Sequence, residues 1–195
     1  MSFIEYIDRH IVYENPTPQN CSRHGFFPGL VKLPSGDLLA LFMLGEAFEA
    51  ADATTVVSRS QDQGRTWQLE GPLHVKEEAH RYDSDFMKPT VLNDGTLIAM
   101  GYRFHRSDPD QLLTNPETDG LRNGDDLVSV SRDEGRTWSH PRVIARTRPE
   151  LIEQSGPVIQ LRRGTILGAG SLFPMWDGTN PSGFVGALLQ SEDGG

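Results

Sequence analysis

"SRDEGRTW", residues 131–138, rewrites in nearly the same letters what "SRSQDQGRTW" spells at 58–67, and "SEDGG" at 191–195 begins the pattern a third time. The common spacing is Ser-x-Asp-x-Gly-x-Thr-Trp. Its chemistry is that of a turn. Asp62 and Asp133 are placed to accept hydrogen bonds from nearby backbone N–H groups, Gly64 and Gly135 to take the positive φ of a tight bend, and Trp67 and Trp138 to anchor the turn in apolar surroundings. This reads as a folding staple in preference to a catalytic device, because turn-type Asp residues mainly satisfy backbone donors.

Working outward, each box is preceded by a related stretch. "PGLVKLPSGDLLALF" from Pro28, "PTVLNDGTLIAMG" from Pro89 and "PVIQLRRGTILGAG" from Pro157 are each Pro, an apolar run, a polar turn bearing Gly36, Gly95 or Gly164, and a second apolar run. β-forming runs on both sides of a Gly-bearing turn predict a hairpin. After an insert of variable length, "TTVVSRS", "DLVSVSR" or "GFVGALLQS" leads into the box. The unit is therefore strand, turn, strand, insert, strand, box, strand. Ser60 and Ser131 lie 71 residues apart, and Ser131 and Ser191 lie 60 apart, the period of a four-stranded sheet with decorated loops. Such sheets bury their faces by stacking radially around an axis, so an all-β propeller is predicted.

The bulk composition agrees with a globular domain and excludes several functions. The 195 residues are 36% hydrophobic, and 27 Asp and Glu outnumber 18 Lys and Arg for a net charge of −9. No basic block answers a phosphate backbone, so nucleic acid is not an expected partner. The longest apolar run, "LLALFML" at 38–44, is too short for a membrane span, and "MSFIEYIDRH" lacks a signal-peptide core. A cytoplasmic protein that does not bind membranes is expected. Cys21 is the sole cysteine, which excludes an internal disulfide. The six histidines show no His-x-His or His-Glu-x-x-His spacing, so the sequence indicates no transition-metal site. "GAG" at 168–170 lacks the rest of a dinucleotide loop, and no Gly-x-Ser-x-Gly elbow is present, so no cofactor is expected.

The repeated box, each copy downstream of a Pro-apolar-Gly-apolar hairpin, resembles the Asp-box repeat of the sialidase superfamily over residues 23–195. The resemblance implies a six-bladed β-propeller of which about the first three blades are present, at about 23–70, 82–142 and 152–195, in one incomplete domain spanning 1–195. "FIEYIDRHIVY" at 3–13 is expected as the outer strand that closes such a ring, and an isolated half-ring is expected to self-associate through its open sheet faces. The family's activity implies an exo-glycosidase acting on a terminal sugar, with a glycan as substrate. Its members use a Tyr nucleophile with a Glu partner, an Asp acid/base and three arginines that grip the sialic carboxylate. The position of the first of these arginines, in an Arg-Ile-Pro motif, is matched here by "FFP", with Phe26 in place of Arg and Arg23 three residues earlier. That departure leaves a sugar other than sialic acid open. Counted back from the first box, the family's acid/base Asp falls near Glu49 or Asp52, and its Tyr and remaining arginines belong to later blades.

Strands of a blade alternate in direction, so the boxes and the strand one-two turns share one face. The opposite face carries the inserts after strand two and the segments leading into strand one, and a pocket is expected there. That face offers Arg23, His24, Glu49 and Asp52 in blade 1, Asp83, Asp85, Lys88, Arg103 and His105 in blade 2, and Glu153, Gln154 and Trp176 in blade 3. Asp83, Asp85, Glu153, Asp52 and Glu49 are the candidate catalytic carboxyls, since glycoside cleavage needs an acid and an opposing nucleophile or base. Arg23, His24, Lys88, Arg103, His105, Gln154 and Trp176 are the candidate sugar contacts. Each has a plainer alternative: turn caps for Asp83 and Asp85, a solvated loop for Arg103 and His105, core packing for Trp176. The whole set also suits a non-catalytic propeller that binds carbohydrate or protein. A carboxyl with a raised pKa in the cleft would favour the enzyme.

Overall fold

The computed structural model of the protein describes residues 8–154 and 156–192. They form three antiparallel four-stranded sheets. The first runs β1 (His24–Lys32), β2 (Leu38–Gly45), β3 (Thr54–Ser60) and β4 (Gln68–Pro72) in sequence order. The second repeats it with β5 (Ser84–Val91), β6 (Leu97–Phe104), β7 (Gly124–Ser131) and β8 (Arg142–Val143). The third has a broken inner strand: β9 (Ile152–Glu153) and β10 (Ile159–Gln160) both pair with β11 (Ile166–Leu172), which pairs with β12 (Gly186–Ser191). Each sheet is one blade. Among the described residues no helix is long and apolar enough to cross a membrane.

The core lies between blades, and the strand sequences show why. In β6, "LIAMGYRF", alternate residues serve opposite faces. Leu97 and Ala99 join Leu39, Leu41, Val57, Met87 and Leu127 in the core between blades 1 and 2, while Ile98 and Met100 join Leu92, Val128, Val158 and Ile166 between blades 2 and 3. A strand covered on both faces reads as a continuous apolar run. At Gly101 a Cβ would stand 1.8 Å from the Phe86 carbonyl oxygen, so only glycine lets β5 and β6 approach there. Truncating a fully buried leucine of this core to Ala is worth about 2–5 kcal/mol.

The two complete boxes are superimposable in their bonding. Asp62 Oδ1 and Oδ2 accept from the Thr66 N–H (2.9 Å) and hydroxyl (2.6 Å), and Asp133 does the same with Thr137 at 2.9 and 2.5 Å. Ser60 and Ser131 each accept the glycine N–H at 2.8 Å and donate to the Asp at 2.9 and 2.8 Å, while Trp67 and Trp138 donate to the glycine carbonyl at 3.0 and 3.1 Å. The turn holds two successive left-handed residues, Gln63 and Gly64 in one box and Glu134 and Gly135 in the other. Blade 2's box also ties the blades together, because Glu134 accepts from the Ser35 N–H (2.9 Å) and from the Arg59 guanidinium (3.0 Å).

The expected outer strand at 3–13 lies partly outside the described residues. Within them, 8–13 form no strand, and Val12 and Tyr13 pack on Ala40, Phe42 and Val56, the face of blade 1 turned away from blade 2. The third box begins at Ser191 and continues outside the described residues.

Candidate active-site cleft

A cavity of about 650 Å³ opens where the three blades converge. Its wall comes from β1, from the β2–β3 and β6–β7 inserts, from β6, and from the segments that begin and follow blade 3's first long hairpin. This is the face opposite the boxes. Phe27 and Phe48 from blade 1, Tyr102 and Phe104 from blade 2 and Phe173 from blade 3 form its aromatic side. The rings are in contact: Phe27–Phe48 at 5.3 Å, Tyr102–Phe104 at 5.3 Å, Phe104–Phe173 at 6.2 Å. The charged side chains Glu49, Glu153, Arg106 and Asp110 complete the lining with other loop residues.

Local backbone explains how blade 1 reaches the cavity. β1 breaks register between Phe26 and Gly29, and at this bulge Phe27 adopts φ +51°. Glu49 in the β2–β3 insert has φ +50°. The box turns account for Gln63 and Glu134, so among the described residues two of the three other non-glycine residues with positive φ line the cavity. Left-handed backbone at a bulky aromatic is costly, and such conformations concentrate at functional sites.

The electrostatics are uneven. Burial pushes the Glu49 carboxyl up from 4.5 to about 7; Arg106 opposes the shift and the Glu153 charge adds to it. Burial, with the charges of Glu49 and Glu153, also drives the Tyr102 phenol upward, so it stays protonated and serves as a donor. Arg106 is buried, and its guanidinium donates to the Ser84 hydroxyl (2.9 Å) and to the carbonyls of Glu49 (2.8 Å) and Gln111 (3.2 Å). Burial lowers its pKa against the pull of Glu49.

Of the carboxyls expected from sequence, the fold brings Glu49 and Glu153 to the cavity. Asp52 is ion-paired with Arg23 at 2.6 Å and accepts the Glu46 N–H. Asp85 is fully buried and bridges blades: Oδ1 accepts the Thr55 N–H at 2.8 Å, Oδ2 the Thr54 hydroxyl at 2.9 Å, with His74 at 3.4 Å and Lys76 at 3.9 Å. Burial raises its pKa, but His74, Lys76 and the Thr55 N–H outweigh that, and the group is held below the usual carboxylate range. Asp83, equally buried, binds His80, His105 and the Arg106 N–H.

The expected sugar contacts lie elsewhere than the cavity wall. Arg103 pairs with Asp125, His105 bridges Asp83 and Asp125, Lys88 sits over the Phe86 ring at 5.5 Å, and His24 flanks Phe26 at 6.1 Å. Gln154 is buried against Gly168. Trp176 belongs to a separate depression of about 430 Å³, with the Arg122 guanidinium 4.6 Å from its ring. Sequence reasoning missed Arg106, Tyr102 and the aromatic wall. In "YRFHR" the strand alternation sends Tyr102, Phe104 and Arg106 to the cavity and Arg103 and His105 to the other side, so the signal was there as parity without a sign.

No protein-family profile matches the chain, and no curated protein sequence matches it. Solved structures do match. A protein of unknown function from Dyadobacter fermentans aligns with a TM-score of 0.66 at 22% identity over 95% of this chain and 55% of its own. The NanB sialidase of Streptococcus pneumoniae aligns at 0.60 and 9% identity over 95% and 45%, and a Penicillium chrysogenum α-L-arabinanase at 0.56 and 21% over 87% and 46%. The chain thus spans about half the length of the structures it matches. The likeness is one of fold: an all-β propeller of the sialidase type, present as about three blades.

Proposed function

We propose that this chain carries one side of the cleft of an exo-acting glycoside hydrolase, with Glu49 as general acid and Glu153 as the second carboxylate. The observation that carries the proposal is the Glu49 carboxyl, pushed to about 7 by burial beside Glu153 in an aromatic-walled cavity. At neutral pH such a carboxyl keeps a proton to give, which a general acid needs. In the proposed step Glu49 transfers its proton to the departing glycosidic oxygen as the bond to the anomeric carbon breaks. Glu153 offsets the positive charge that develops on the sugar or directs the incoming water. The aromatic rings suit the apolar faces of a sugar, and protonated Tyr102 and Arg106 suit its oxygens. Phe26, edge-on to Phe48 at 5.8 Å, and Arg23, held by Asp52, support a substrate other than sialic acid. That solved glycosidases acting on different sugars share the fold supports the class and not the sugar.

The test is hydrolysis of a panel of aryl glycosides, sialoside and α-L-arabinofuranoside included. One sugar is expected to be cleaved, with kcat lowered about 10²–10⁴-fold in Glu49→Gln. The loss should be smaller for substrates whose leaving group needs no protonation. Glu153→Gln should lower kcat for all of them. No cleavage of any sugar, together with retained binding on a glycan array, would instead establish a non-catalytic carbohydrate-binding propeller.

A further inference from the structure

His80 and Asp83 lie three residues apart and His105 follows 22 residues later, and the fold closes the three into one cluster. His80 ends a single 3-10 turn (Glu78–His80), Asp83 stands just before β5, and His105 follows the last residue of β6. The Nδ1 atoms of both histidines lie 2.9 Å from the same oxygen, Asp83 Oδ2. Their potential ligand atoms all fall within 4.8 Å of one another. We propose that these three side chains form a binding site for a divalent transition metal, of which Zn²⁺ fits best, with a fourth position open to solvent.

Geometry and chemistry support this on four counts. Ligands of a tetrahedral Zn²⁺ at about 2.0–2.1 Å are roughly 3.3 Å apart, so the two 2.9 Å histidine–Asp83 spacings need to open by only a few tenths of an ångström. Two imidazoles with one carboxylate are a donor set that zinc and its neighbours in the series accept. The surroundings hold the donors in place: the Arg106 N–H fixes Asp83 Oδ1 at 2.8 Å, leaving Oδ2 to the metal, and Asp125 lies 3.3 Å from His105 Nε2. A carboxylate on the far ring nitrogen orients a ligating histidine and raises its basicity. Finally, Asp83 is buried while both imidazoles are partly exposed, which gives an ion a path in and a free position once bound. The neighbouring cations do not cancel the site. Arg103, 3.9 Å from Asp83 Oδ2, is itself bound by Asp125 at 2.8 and 2.5 Å, and the Arg106 guanidinium turns away to Ser84 and two carbonyls. A bound ion would clamp the end of β6 that delivers Arg106 to the cavity.

The experiment is calorimetric titration of the full chain with Zn²⁺ near neutral pH, with Co²⁺ absorption as a second readout. One equivalent is expected to bind, with tetrahedral Co²⁺ bands. Affinity should fall at least about 100-fold in His80→Ala and in His105→Gln, and about 10–100-fold in Asp125→Asn. His140→Ala, which alters an exposed histidine paired with Glu77, should bind as the wild type does. Circular dichroism establishes that each variant is folded. Failure of the wild-type chain to bind a stoichiometric ion would overturn the proposal, and so would binding that survives in both His80→Ala and His105→Gln or disappears in His140→Ala.

Discussion

Asp83, just before β5, and Asp85, within it, stand two residues apart, yet they serve different partners. Asp83 faces His80 and His105; Asp85 crosses to blade 1 and binds Thr54 and Thr55 on β3. Both are buried, and both are held ionised by the donors around them, so neither keeps a proton at neutral pH. Glu49 is the reverse, a carboxyl raised to about 7 at a cavity wall. A distinction follows that mutation exposes. Asp85→Ala strands the Thr55 N–H and removes the carboxylate beside His74 and Lys76, and is expected to cost about 3–5 kcal/mol of stability in denaturant unfolding, the usual penalty for breaking a buried charge cluster. Glu49→Gln should not destabilise at neutral pH, because it removes a carboxylate that burial disfavours. An unchanged unfolding midpoint in Asp85→Ala would contradict the bridging role.

At the scale of the element, the box was legible from sequence because its bonds close within eight residues. Asp, Thr, Gly and Trp at those spacings admit one turn, and Asp62 and Asp133 are held at about 2 by the hydroxyls and N–H groups of Thr66 and Thr137. Because folding depresses these pKa values from 3.8, the stability they contribute is complete above about pH 4 and drains as the pH falls through about 2. Asp133→Asn is accordingly expected to melt below the wild type at pH 7, with the gap narrowing towards acid pH; a constant gap would show that the charge is irrelevant. The hairpins were legible too, since apolar runs flank Gly36, Gly95 and Gly164. The inserts were not. Their carboxyls are positioned by bulges, left-handed residues and contacts with other blades, and no local pattern encodes which side of "YRFHR" faces the axis. The His80–Asp83–His105 cluster escaped for the same reason: its members join through two strands and a short helical turn.

For the molecule as a whole, the cavity belongs to no single repeat. Phe27 and Glu49 come from blade 1, Tyr102 and Arg106 from blade 2, Glu153 and Phe173 from blade 3. The repeat builds the scaffold through its turns, and the β2–β3 and β6–β7 inserts, with the segments that begin and follow blade 3's hairpin, build the chemistry. In the proposed mechanism this convergence holds a carboxyl poised for proton transfer. That mechanism is tested most directly by carbon-13 NMR titration of the Glu49 side chain in the wild type and in Glu153→Gln. The wild-type midpoint is expected near 7, moving down when the Glu153 charge is removed. A Glu49 midpoint near 4.5, indifferent to Glu153, would contradict the mechanism.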